Sequence, residues 1–128
     1  MSIQTIFAIG AGGFIGAVAR SYLNGVVNNH FTHNIPFGTL TVNLLGSFIL
    51  GSLFAFFTYT QFFSVHIKSF LSTGMMGALT TYSTFAMETF FLLNGGSYIL
   101  AFSNMALNLF GTILMAGAGF KIFETVLK

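Results

Sequence analysis

The sequence predicts an all-α integral membrane protein with four transmembrane helices, and three observations lead to this fold class. Of its 128 residues, 55% are hydrophobic and only 5% are charged, whereas a soluble domain has about 25% charged residues. The mean hydropathy is +0.87. Four apolar runs each exceed the roughly 20 residues needed to cross a bilayer. A chain of this composition cannot cover itself with a solvated surface.

The four predicted helices cover residues 3–27, 37–59, 67–93 and 98–126. The first link is polar and ends at the single proline, Pro36, and the second and third links are shorter still. Because short links place consecutive helices side by side, we expect an antiparallel bundle in which residues 1–128 form one domain.

The first helix contains Gly12-x-x-x-Gly16, a pattern typical of membrane helices that pack closely. The chain has no cysteine, which excludes disulfides and thiolate metal sites. Its three histidines, His30, His33 and His66, are assigned to the links, where solvated side chains are expected rather than metal ligands.

Polar residues recur every four positions in the second and fourth helices, which places them on one face of each helix. Interhelical hydrogen bonding, worth only ~0.6 kcal/mol per contact, would explain any single member. The set as a whole favours a polar permeation path. Its members are Thr39, Asn43 and Ser47 in the second helix and Asn104, Asn108 and Thr112 in the fourth.

The third helix contains residues that weaken a membrane helix. Gly74, Gly77 and the pair Thr80-Thr81 suggest either a break near the bilayer centre or a tolerated kink. Beyond them, Thr81, Thr84, Phe85 and Glu88 share one helical face, which gives a third polar stripe.

These stripes favour an anion as the permeating species. Amide and hydroxyl groups and the positive edges of aromatic rings can solvate an anion, whereas cation routes usually show carboxylate rings. Glu88 is the only embedded acid, and Arg20 adds a positive charge near one membrane face. The four Lys and Arg residues are scattered and form no basic patch, so a nucleic-acid partner is not expected. Since four helices enclose no lumen, the pore is expected between subunits of a homodimer.

The membrane orientation is only weakly encoded. Lys68, Lys121 and Lys128 lie on the side of the termini, and only Arg20 lies on the other. This bias favours cytoplasmic termini, but it is small enough to allow insertion in both orientations.

The chain resembles the Fluc fluoride channels, also called CrcB proteins, over nearly its whole length. The resemblance rests on three sequence blocks: GGFIGAVAR of residues 12–20, GTLTVNLLGSF of residues 38–48, and GALTTYSTF of residues 77–85 with Glu88. It implies a dual-topology antiparallel homodimer in the inner (plasma) membrane, with two pores through which toxic cytoplasmic fluoride leaves passively.

The resemblance also implies roles for individual residues. Asn43, Tyr82 and Phe85 correspond to the pore asparagine and the two pore aromatics, with Ser83 and Thr84 in the polar track beside them. The backbone carbonyls of Gly77 and Thr80 correspond to those that hold a structural sodium ion at the dimer interface. Arg20 corresponds to a vestibule arginine and Glu88 to the family's glutamate in the third helix. The predicted fluoride pore is Asn43, Tyr82, Phe85, Ser83, Thr84, Thr39, Asn108 and Thr112.

Two features depart from the family pattern. The first aromatic is usually phenylalanine but is Tyr82 here, and the family tends to place a tyrosine and serines where Asn104, Asn108 and Thr112 align. An alternative function is a proton-coupled small multidrug exporter of cationic compounds. Such exporters depend on a glutamate in the first helix and usually on tryptophan, and this sequence has neither.

Overall fold

The structure, a computed structural model, describes residues 1–31 and 34–128, which are helical apart from short connections. The third predicted helix is split into two segments, as its sequence suggested. We label the segments α1 (Ile3–His30), α2 (Phe37–Tyr59), α3 (residues 65–79), α4 (Tyr82–Asn94) and α5 (Tyr98–Leu127).

Four of the predicted boundaries are wrong by one to three residues. The first helix continues past residue 27 to His30, the third begins at Val65 and ends at Asn94, and the fourth ends at Leu127. Consequently His30 and His66 lie at helix ends rather than in links, and His33 lies outside the described residues.

The first helix is longer than predicted because its last turns pack against the start of α2. The side chain of Asn28 accepts a hydrogen bond from the backbone N–H of Gly38 (2.9 Å) and donates one to Asn24 (3.0 Å). A helix leaves its first N–H groups without intrahelical partners, and here α1 supplies an acceptor for one of them. This contact joins α1 and α2 in antiparallel orientation.

The α1, α2 and α5 helices are each long and apolar enough to cross a membrane. The third crossing is formed by α3 and α4 together. The α1 helix packs mainly on α3, and α2 packs mainly on α5. Each of these pairs is parallel, as expected when consecutive helices alternate in direction. The architecture is therefore that of a multi-pass, all-α membrane protein.

The α1–α3 contact is close enough to exclude side chains. A Cβ atom on Gly12 would overlap the carbonyl oxygen of Phe70, and one on Gly16 would overlap that of Met75. The facing part of α3, Ser69–Met76, is a π-helix, a widened form that is common at functional sites. The Gly12/Gly16 pair therefore forms a helix-packing face.

The α2–α5 contact keeps a constant offset along its length. Asn43 meets Asn108, Gly51 meets Ala116 and Tyr59 meets Glu124, each pair being 65 residues apart in sequence. The Tyr59 hydroxyl donates to the Glu124 carboxylate (2.6 Å). These contacts hold the polar faces of the two helices opposite each other.

Candidate functional site

The two halves of the third crossing are separated at Thr80 and Thr81, whose backbones are extended (ψ 155° and 120°). Two threonine side chains stabilise the ends. Thr80 Oγ1 donates to the Met76 carbonyl (3.1 Å), and Thr81 Oγ1 accepts from the backbone N–H of Thr84 (3.3 Å). Threonine is a favoured residue at a helix start for this reason. The break is thus encoded locally by the Thr80-Thr81 pair.

Asn43 of α2 binds both backbone groups of Thr81. Its Oδ1 accepts from the Thr81 N–H (2.8 Å), and its Nδ2 donates to the Thr81 carbonyl (3.1 Å). An unpaired backbone group buried away from water costs about as much as a lost hydrogen bond. The Asn43 amide therefore replaces the helical partners that the break removes.

A groove of about 430 Å³ runs beside the break. It is bounded by α2, by the break with the first turn of α4, and by α5. Tyr82 is 81% exposed, so the groove opens on the surface of the subunit. Its lining residues are Asn43, Gly46, Ser47, Leu50, Thr80, Thr81, Tyr82, Phe85, Met105, Asn108, Leu109 and Thr112.

The structure brings together five of the eight residues predicted for the pore: Asn43, Tyr82, Phe85, Asn108 and Thr112 line the groove. Within this set the rings of Tyr82 and Phe85 meet edge to face, with centroids 5.6 Å apart and an interplanar angle of 69°. Ser83, Thr84 and Thr39 lie outside the groove lining.

Thr39 and Glu88 form a separate polar contact between α2 and α4. The Thr39 hydroxyl lies beside the Glu88 carboxyl group. The two groups are adjacent but their geometry does not make a hydrogen bond: Thr39 Oγ1 and Glu88 Oε1 are both buried and neither has a hydrogen-bond partner among the described residues. Buried polar atoms without a partner are uncommon in proteins.

Arg20 binds the end of α3, and it lies further from the end of α1 than its predicted place near one membrane face implies. Since α1 continues to His30, Arg20 lies about 15 Å from the end of the helix at 1.5 Å per residue. Its Nε donates to the carbonyl of Ala78 (2.8 Å). A cation at this position is favourable because the last carbonyls of a helix carry partial negative charge.

The carbonyls of Gly77 and Thr80 lose their usual helical donors. The N–H of Thr81, four residues after Gly77, donates to Asn43 instead. The N–H of Thr84, four residues after Thr80, donates to the Thr81 hydroxyl. Carbonyl oxygens at an unwound helix can coordinate a cation, so both atoms are of the right type for an alkali metal ion.

Sequence reasoning missed Thr89, which is 6% exposed and accepts a hydrogen bond from Asn104 Nδ2 (3.0 Å). Asn104 belongs to the predicted α5 stripe but is fully buried behind the groove. A buried amide needs partners, so Asn104 in the stripe signalled that some polar residue faces it. Helical spacing within α5 could not show that this partner is Thr89 of α4.

Comparison with known proteins identifies the family. Residues 7–120 match the family model described as CrcB-like protein, Camphor Resistance (CrcB). A protein of Sulfurimonas denitrificans named fluoride-specific ion channel FluC is 62% identical over all of this chain and 99% of its own length. Proteins of the same name from Nautilia profundicola and Campylobacter jejuni are 53% and 44% identical, over 100% and 95% of this chain and 100% and 99% of their own lengths. The chain therefore belongs to the CrcB-like family.

Proposed function

We propose that this protein is a fluoride-selective channel of the inner membrane that lets cytoplasmic fluoride leave passively and so protects against its toxicity. Relatives at 62%, 53% and 44% identity over almost their whole length carry the name fluoride-specific ion channel. That name denotes transport rather than an enzymatic reaction. The observation that carries the proposal is the groove, where amides, hydroxyls and two aromatic rings of the predicted pore meet.

The chemistry of the groove suits a small anion. The edge of an aromatic ring carries partial positive charge, and Tyr82 and Phe85 supply two rings side by side. Among the described residues that line the groove there is no carboxylate to repel an anion. Arg20, on the neighbouring α1, adds a fixed positive charge at the break.

The proposed channel is an antiparallel homodimer. In a single subunit the groove is open on one side, and Tyr82, a predicted wall residue, is 81% exposed. A second copy would close the groove, and twofold symmetry would give two equivalent pores. The dual topology follows from the family resemblance and from the weak charge bias of the chain.

We propose that the carbonyls of Gly77 and Thr80 help to hold a sodium ion at the dimer interface. The diversion of the Thr81 and Thr84 N–H groups to side-chain acceptors supports this, since each carbonyl loses the donor four residues ahead of it. The ion would supply positive charge beside the break. This role predicts that replacing sodium with N-methylglucamine during purification abolishes fluoride flux. Full flux in protein prepared entirely without sodium would contradict it.

The function is tested with purified protein in liposomes. Fluoride efflux measured with a fluoride electrode should follow the gradient without a proton gradient, and chloride efflux should stay at the level of protein-free liposomes. Asn43→Leu, which removes both bonds to Thr81, should abolish the flux. Fluoride efflux no faster than in protein-free liposomes would refute the channel, and proton-driven uptake of a cationic dye would favour the exporter.

A further inference from the structure

A chain of buried side-chain hydrogen bonds runs behind the groove, and every link donates in the same direction. Asn43 Nδ2 donates to Asn108 Oδ1 (3.0 Å), and Asn108 Nδ2 donates to the carbonyl (3.0 Å) and Oδ1 (3.1 Å) of Asn104. Asn104 Nδ2 donates to Thr89 Oγ1 (3.0 Å), which donates to the backbone carbonyl of Phe85 (2.8 Å). The chain thus connects the two predicted pore residues Asn43 and Phe85.

The direction of donation fixes how each amide is turned. A hydroxyl has one proton, and that of Thr89 is already donated to Phe85. Thr89 can therefore only accept from Asn104. Because the Asn104 NH₂ group must face Thr89, the Asn104 oxygen faces Asn108, one turn further along α5. Two acceptors on Asn104 then hold the Asn108 NH₂ group, so the Asn108 oxygen faces Asn43.

The NH₂ group of Asn43 is fully used as a result. An asparagine NH₂ has two protons, and those of Asn43 are donated to the Thr81 carbonyl and to Asn108 Oδ1. The Asn43 oxygen is occupied by the Thr81 N–H. If Asn108 were free to turn, its own NH₂ could face the Asn43 NH₂, and the amide would lose its hold on the break.

We propose that Asn104 and Thr89 are positioning residues for conduction. They lie outside the lining of the groove, and they orient Asn108 so that it locks the Asn43 amide onto the backbone of Thr81. This places Asn108 among the orienting groups as well as in the wall. The effect on conduction rests on the proposed function, whereas the orientation of Asn43 does not.

The experiment compares isosteric and conservative variants at Thr89. Thr89→Val removes the hydroxyl and Thr89→Ser keeps it, while Asn104→Leu removes the next link. Ser52→Ala is the control, because it deletes a hydroxyl that donates to the Phe48 carbonyl (2.8 Å) in the α2–α5 contact, away from the chain of amides. Each variant is measured for fluoride efflux per folded protein and for the side-chain amide NMR signals of Asn43 in ¹⁵N-asparagine-labelled protein.

Thr89→Val and Asn104→Leu should shift the Asn43 signals and lower efflux about fivefold or more, the size expected from one lost buried hydrogen bond. Thr89→Ser and Ser52→Ala should leave both readouts unchanged. Unmoved Asn43 signals with normal efflux in Thr89→Val and Asn104→Leu would overturn the proposal, as would an equal loss in Ser52→Ala.

A wild-type chain that conducts no fluoride would refute the proposed function, while the NMR signals would still test the orientation of Asn43. If Thr89→Val and Asn104→Leu do not fold, hydrogen exchange of the wild-type chain decides. The Asn43 NH₂ protons should exchange about tenfold more slowly than those of exposed Asn29. Equal rates would overturn the proposal.

Discussion

Asn43 and Arg20 both act on backbone atoms at the break. Asn43 of α2 pairs with the N–H and carbonyl of Thr81, and Arg20 of α1 binds the carbonyl of Ala78 at the end of α3. Breaking a membrane helix exposes polar backbone groups where no water can satisfy them. These two side chains supply the missing partners, so each is needed for the shape of the break before any role toward an ion.

Replacing Arg20 should destabilise the protein. Arg20→Leu removes a charge-assisted hydrogen bond to Ala78, and we expect a loss of about 1.5–3 kcal/mol. Arg20→Lys keeps the charge but not the Nε geometry, so its stability should lie between that of the wild type and that of Arg20→Leu. Thermal unfolding in detergent measures the order. Equal stability of the wild type and Arg20→Leu would contradict a capping role.

The Tyr82 hydroxyl should be dispensable for conduction. Tyr82→Phe keeps the ring that meets Phe85 edge to face, so fluoride efflux should remain within about twofold and stability within about 0.5 kcal/mol, as for other exposed substitutions. Tyr82→Leu removes the ring and should lower efflux strongly. A strong loss in Tyr82→Phe would instead assign the hydroxyl to the ion path.

At the scale of elements, the sequence predicted the four helical regions, but it left open whether the glycines of the third one break the helix or permit a kink. Gly74 lets α3 approach α1, because a Cβ there would lie 2.7 Å from the Ile9 carbonyl oxygen. The break itself depends on Thr80 and Thr81, whose side chains bind neighbouring backbone groups. Glycine serves both purposes in membrane helices, so spacing alone could not separate them.

The α2 helix needs a glycine at position 46, where it packs against Thr80 of the break. A Cβ on Gly46 would overlap the Thr80 methyl group, so Gly46→Ala should cost about 1–3 kcal/mol through overpacking and reduce fluoride efflux. Gly117→Ala is the matched control, since its Cβ would meet nothing within 4 Å among the described residues beyond the backbone of its own helix. Thr80→Ser removes the obstructing methyl and should restore the Gly46→Ala protein. A double variant no better than Gly46→Ala would contradict this explanation.

At the scale of the whole molecule, much of the surface is apolar. In the 18-residue apolar stretch of each helix, only 11% is buried within the subunit for α1 and 17% for α5. Lipid or a second copy of the chain must cover such surfaces. The sequence could predict this from composition. It could not predict which stripe residues meet, since Asn104 with Thr89 and Asn43 with Thr81 depend on the packing of different helices.

The proposed dual topology can be measured because the chain has no cysteine. A single cysteine at Lys128 should be labelled from outside intact cells by an impermeant maleimide in about half of the molecules, since the charge bias is weak. Labelling of all or none would indicate one fixed orientation. Adding three lysines after residue 128 should shift the fraction toward cytoplasmic termini.

The composition of the groove has a consequence for cells that live at changing acidity. Among the described residues that line it there is no histidine, carboxylate or lysine. Amides and hydroxyls carry no charge that changes between about pH 5 and 8, so the lining itself keeps one charge state when the surroundings turn acidic. If the groove conducts fluoride as proposed, its lining offers the ion the same uncharged groups at either acidity.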